Sequence, residues 1–135
     1  MALFSKLGNY KNTGLLIIRI GLGVMMITHG LPKLTGGVER WEAVGGAMGN
    51  IGITFFPVFW GFMAAIVETF GGFLLIIGFL FRPSCILLAF TMLIAAISHF
   101  SRGDGLGGAS HAIEIGFVFI GLMLIGPGKY SIDKK

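Results

Sequence analysis

Only one of the 135 residues is a cysteine, Cys85, which excludes an intrachain disulfide and a Cys-x-x-Cys redox pair. Any electron transfer through this chain therefore needs a cofactor, a quinone or a partner protein, and Cys85 itself reads as a small core residue. Charge is scarce as well. With 12% charged residues against 55% hydrophobic ones and a mean hydropathy of +0.90, a water-soluble domain is excluded and an integral membrane protein is implied. The formal charge is +4, but the basic residues stand at the ends of apolar segments rather than in one patch. They read as topology signals, and nucleic acid is excluded as a partner. The four prolines also fall near segment ends, where a missing backbone donor does least harm.

What remains is apolar sequence arranged for crossing a bilayer. A hydrocarbon core of about 30 Å needs about 20 residues of helix, and four such spans use most of the chain, about 13–34, 55–80, 83–100 and 111–126. The expected fold is an all-α, four-transmembrane-helix antiparallel bundle in a single domain, 1–135, with no soluble catalytic domain left over. Lys6 and Lys11 before the first span imitate a signal peptide. That span nevertheless contains Arg19 and ends in His29-Gly30-Leu31-Pro32-Lys33-Leu34 rather than a small-x-small cleavage site, so it is expected to remain. Glu39-Arg40-Trp41-Glu42 in the next connection fits either a short interfacial helix or an ordered polar loop. Thr54 is placed to cap the second span, Arg82-Pro83 reads as the whole turn to the third, and Ser101 to Ser110 reads as a glycine-rich turn. Gly126-Pro127-Gly128 ends the fourth. Lys6, Lys11, Arg82, Lys129, Lys134 and Lys135 fall on one side, and Lys33, Arg40 and Arg102 on the other, which predicts that both termini are cytoplasmic in a multi-pass inner-membrane protein.

Six ionisable residues lie in or beside the spans: Arg19, His29, Glu68, His99, His111 and Glu114. A charge at the centre of a membrane helix costs on the order of 2.5–3.5 kcal/mol on insertion scales, so each needs a partner, a function or both. Counting about 1.5 Å per residue places Arg19 and Glu68 at similar depth, which predicts an ion pair between the first two spans, with snorkelling of Arg19 as the alternative. Gly61, Ala64, Ala65, Gly71 and Gly72 surround Glu68 on its helical face and predict a close-packed neighbour. His29, His99, His111 and Glu114 fall within about two turns of one height, and the i, i+3 spacing of His111 and Glu114 projects both from one face. Such a cluster suits a metal, a haem or the head group of a quinone. Met25 and Met26, one turn from His29, suit an apolar pocket for an isoprenoid tail.

The order Arg19-Ile20-Gly21-Leu22-Gly23, His29-Gly30-Leu31-Pro32-Lys33-Leu34, Glu68-Thr69-Phe70-Gly71-Gly72, Gly78 to Arg82, His111-Ala112-Ile113-Glu114 and Gly126-Pro127-Gly128-Lys129-Tyr130-Ser131-Ile132-Asp133 resembles the DoxX-type (DoxX/DoxD-like) four-helix membrane proteins over nearly the whole chain. The resemblance implies a membrane subunit of an oxidoreductase, associated with quinones or thiosulfate oxidation and sometimes with oxidative-stress partners. With one cysteine and no haem motif, thiosulfate oxidation does not follow for this chain. The expectation is a quinone-linked redox protein that works in the lipid bilayer with a soluble oxidoreductase partner or a small reductant. In it His29, Glu68, His111 and Glu114 handle protons, and Arg19, His29, His99 and His111 hold the cofactor. The competing expectation is a non-enzymatic scaffold or permeation protein, a homo-oligomer in which the same groups stabilise the bundle. A metal or haem held by His29 and His99 is the third.

Overall fold

The computed structural model describes residues 3–134; Lys135, counted above among the topology charges, lies outside them. Among the described residues there is no strand, and the helices are α1 (Lys11–Thr35), α2 (Gly37–Gly45), α3 (Pro57–Ile77), α4 (Phe81–Ser101) and α5 (Gly105–Ile125), with 3₁₀ turns at Ser5–Tyr10 and Gly46–Ile51. Four of them, α1 with its preceding turn, α3, α4 and α5, are long and apolar enough to cross a membrane. α1 packs on α3, α3 on α4 and α4 on α5, while α2 lies across α3. The Asn12 side-chain oxygen accepts a hydrogen bond from the Lys129 backbone at 3.0 Å, so both ends of the chain meet at one face of the bundle.

Glycine sets the closeness of the α1–α3 contact. A Cβ added at Gly23 would lie 2.5 Å from the Gly72 carbonyl oxygen, and one at Gly30 would lie 2.6 Å from the Thr69 nitrogen. With lipid as apolar as the side chains, such backbone approach is what gives membrane helices their attraction. Likewise α2 lies so tightly on α3 that a Cβ at Gly61 would collide with the Trp41 carbonyl, and one at Gly45 with that of Pro57. The Glu39–Glu42 stretch is thus helical.

Several boundaries differ from expectation. Thr54 does not cap α3; the helix opens at Pro57 after Phe56, which has φ 53°. The α3–α4 turn is Gly78 to Leu80, and Arg82 and Pro83 belong to the first turn of α4. Gly78 adopts φ 68° and bonds back to the Leu74 carbonyl at 2.8 Å, which ends α3 before the proline is reached. Residues 105–110 are not a turn, because α5 begins at Gly105. Ala109 and Ala112 are buried against the core there, and a backbone near lipid must satisfy its hydrogen bonds internally, which outweighs the poor helix propensity of glycine.

The segment after Gly126 folds back over the α3–α4 turn. Ile132 and Asp133 donate backbone hydrogen bonds to the Ile77 and Gly78 carbonyls at 3.1 and 2.9 Å. The Asp133 carboxylate accepts from the Leu80 and Phe81 nitrogens at 3.2 and 2.8 Å, capping the start of α4 from a distance. Arg82 donates from Nε to the Met123 carbonyl at the end of α5.

Arg19 is the centre of this end. It is 1% exposed, and its guanidinium donates to four carbonyls: Leu75 at 2.9 Å, Ile76 at 2.6 Å, Pro127 at 3.2 Å and Tyr130 at 2.8 Å. The expected Arg19–Glu68 ion pair is therefore corrected. Arg19 stands level with the last turn of α3, whose carbonyls lack helical partners, and Glu68 stands two turns away along α3.

Candidate functional site

Glu68 is 2% exposed at mid-length in α3, and its partner is Lys33. Nζ of Lys33 lies 2.9 and 3.0 Å from the two carboxylate oxygens. Side chains on a helix tilt towards its N-terminus, so Lys33, near the end of α1, reaches back down to the level of Glu68. Trp41 of α2 fixes this corner by donating its indole N–H to the Lys33 carbonyl at 2.9 Å. Beside the pair, the Thr69 hydroxyl is buried without a hydrogen-bond partner among the described residues.

Two cavities meet at this ion pair. A polar one of about 240 Å³ is lined by His29, His99 and His111 together with Met26, Met92, Lys33 and Glu68. An apolar one of about 250 Å³ is lined by Phe59, Trp60, Met63, Val67, Phe90 and Ile94 among others, and again by Lys33 and Glu68. The pair forms wall in both. The arrangement is amphipathic: three imidazoles and an ammonium on one side, aromatic and aliphatic surface on the other.

The three histidines come together from α1, α4 and α5, as their common depth predicts. The rings of His29 and His111 stand 5.5 Å apart between centroids, tilted by 49°, and both residues are exposed. His99 is engaged through Nδ1 with Asp104 at 2.8 Å. That hydrogen bond, with the Arg102 charge 3.4 Å from the same oxygen, holds the Asp104 carboxyl below the usual carboxylate value. Glu114 does not line the cavity; it is exposed on α5. Arg19 lies at the opposite end of α1. Met26 joins the polar cavity, whereas Met25 is 52% exposed. Cys85 is a buried free thiol, as read from sequence.

Lys33, read from the sequence only as a flanking charge, is the residue whose pairing with Glu68 sequence reasoning missed. The available signal was its spacing: Lys33 is four residues after His29, on the same helical face. Among the described residues, no group of three or more His, Cys, Asp or Glu side chains is arranged to hold a metal ion.

The DoxX family model matches residues 14–101, which spans α1 to α4 and includes Arg19, His29, Lys33, Glu68 and His99. The chain belongs to the DoxX family. It is 31% identical over 130 residues to the inner membrane protein YqjF of Escherichia coli K12, covering 92% of each chain. It is 29% identical over 132 residues to the inner membrane protein YphA of the same organism, covering 90% of this chain and 89% of that one. No solved structure matches. With four helices long and apolar enough to cross a membrane and inner-membrane relatives over 90% or more of its length, this DoxX protein is a multi-pass inner-membrane protein. The match ends before α5, so His111 and Glu114 lie outside the DoxX model while His29 and the Lys33–Glu68 pair lie within it.

Proposed function

We propose that this DoxX protein binds a membrane quinone, with the head group against Lys33 and the histidines and the isoprenoid tail in the aromatic pocket, and moves the protons of its redox reaction. The observation that carries this reading is the Lys33–Glu68 pair standing in the wall of both cavities. An amphipathic ligand lying across it would bury its polar end among donors and its apolar end among Phe59, Trp60 and Phe90. When bound, a quinone takes two electrons and two protons as its two carbonyls become hydroxyls. The electrons come from a soluble oxidoreductase or a small reductant, since a single cysteine gives this chain no thiol pair to supply them.

The chain's residues then have separate tasks. The Lys33 ammonium donates a hydrogen bond towards a carbonyl oxygen, and Glu68 holds it in place with the charge compensated. His29 and His111 each deliver one proton from a ring nitrogen facing the cavity and regain one at the other ring nitrogen. His99, fixed by Asp104, closes the polar end. Removal of water from the apolar pocket strengthens these contacts.

Trp60 lines the apolar pocket, and the other tryptophan, Trp41, faces an adjoining groove with Phe56 and Phe62. Quinones quench indole fluorescence, so titration of the detergent-solubilised protein with a short-chain quinone is expected to give saturable quenching that Trp60→Phe reduces, leaving the smaller share of Trp41. His29→Ala is expected to weaken this binding about tenfold, the equivalent of about 1.4 kcal/mol, with helicity unchanged. Equal quenching in His29→Ala would take His29 out of the site, and linear, unsaturable quenching in the wild type would remove the quinone.

A further inference from the structure

α5 is the least supported of the membrane helices. Among the described residues its backbone lies close to that of α4 alone, α1 reaching it through the His29–His111 ring contact, and its buried face is made by Ala109, Ala112, Gly116, Phe119 and Leu122. On the opposite face, Gly107, His111, Glu114, Val118, Gly121 and Ile125 follow one another at spacings of four and three, a stripe held within one narrow arc of the helix. Glu114 stands at the middle of α5, exposed, and no hydrogen bond or ion pair reaches it from the described residues. A carboxylate at mid-span normally faces the bundle interior or pairs with another group. Within one copy of this chain Glu114 does neither.

We infer that this stripe is the interface of a homodimer in the membrane, in which Glu114 of each copy pairs with His111 of the other. The complementarity is internal to the stripe. Two copies with the same orientation, related by a two-fold axis along the membrane normal, bring identical faces together. Carboxylate and imidazole, one turn apart on each helix, then meet reciprocally. Heptad spacing is the pattern by which parallel helices stay in contact along their length. The open space around Gly107 and Gly121, where an added Cβ would meet nothing within 4 Å, lets the second helix approach closely at both ends of the polar pair. His111 also lines the polar cavity, so the second copy would supply the carboxylate that this cavity's histidines lack at α5. The interface does not depend on what the cavity binds.

Subunit counting in nanodiscs or vesicles, over a range of protein-to-lipid ratios, tests it. The wild type is expected to be dimeric, and Glu114→Leu, which suits a lipid-facing helix and should fold, is expected to raise the dissociation constant at least tenfold. The exchanged variant, His111→Glu with Glu114→His, is expected to recover association. As an independent readout, Val118→Cys is expected to form an intermolecular disulfide under mild oxidation, and Ile17→Cys on the exposed face of α1 is not; the native Cys85 is buried and stays silent. A wild type that is monomeric at every ratio, a Glu114→Leu variant that dimerises equally well, or crosslinking through α1 instead of α5 would each overturn the inference.

Discussion

Replacing Arg19 with leucine is expected to destabilise the protein by on the order of 4 kcal/mol, since hydrogen bonds to a charged group contribute about 1.5–3 kcal/mol each and neighbouring losses do not add fully. The four carbonyls it serves belong to the end of α3 and to the folded-back C-terminal segment. Without the guanidinium all four lose that donor, those of Leu75 and Pro127 in buried positions and those of Ile76 and Tyr130 in part-buried ones. Arg19→Lys keeps the charge but not the planar fork that reaches several directions at once, so an intermediate loss is expected. Unfolding of the detergent-solubilised protein by titration with a denaturing detergent measures the difference. Removal of residues 126–135 takes away the Pro127 and Tyr130 carbonyls together with the hydrogen bonds to Asn12, Ile77, Gly78, Leu80 and Phe81, and the double change is expected to cost less than the sum of the two, because the two bonds to Pro127 and Tyr130 are common to both. Additive losses would mean that Arg19 and the C-terminal segment stabilise the bundle separately.

The Lys33–Glu68 pair is expected to behave differently, with a sign that depends on whether one or both partners are changed. Lys33→Met alone leaves a carboxylate that is 2% exposed without its cation, and breaking a buried pair in this way costs about 3–5 kcal/mol. Glu68→Leu alone strands an ammonium that is only partly buried and should cost less. The double change, Lys33→Met with Glu68→Leu, fills the same space with apolar side chains and is expected to be neutral or to raise stability by about 1–4 kcal/mol. Quinone binding should nevertheless be lost from the double variant. A stable double variant that still binds quinone would make the pair a structural element alone.

The parts of this molecule legible in its sequence are those set by solvent and period. Long apolar runs gave four membrane helices because lipid permits no unpaired backbone, and depth along each helix brought His29, His99 and His111 to one cavity. The glycines and alanines around Glu68 correctly placed it against a packed neighbour. What depth cannot supply is direction. Arg19 and Glu68 were matched by height, but the direction of each side chain and the supply of free carbonyls at the end of α3 decided otherwise. Lys33 sits at a helix end, where a lysine ordinarily meets water, and only the backward tilt of its side chain shows that it reaches Glu68. The C-terminal segment was legible as a helix stop but not as the cap that holds α1, α3 and α4 together, since hydrogen bonds such as that of Asn12 to Lys129 join residues remote in sequence. Glu114 was grouped with the histidines through its spacing from His111, and its position on the outer face of α5 separates it from their cavity.

The central claim is that an amphipathic quinone lies across the Lys33–Glu68 pair, and light-activated crosslinking tests it most directly. A quinone analogue with an azide on its isoprenoid tail would be bound to the protein in native-like lipid, irradiated, and the labelled peptides identified. Label concentrated on the pocket-facing residues of α3 and α4, from Phe59 to Val67 and from Leu87 to Ala95, and displaced by unmodified quinone, is the predicted result. Label spread over lipid-exposed residues such as Ile17, Phe73 and Phe117, with no displacement by unmodified quinone, would contradict it.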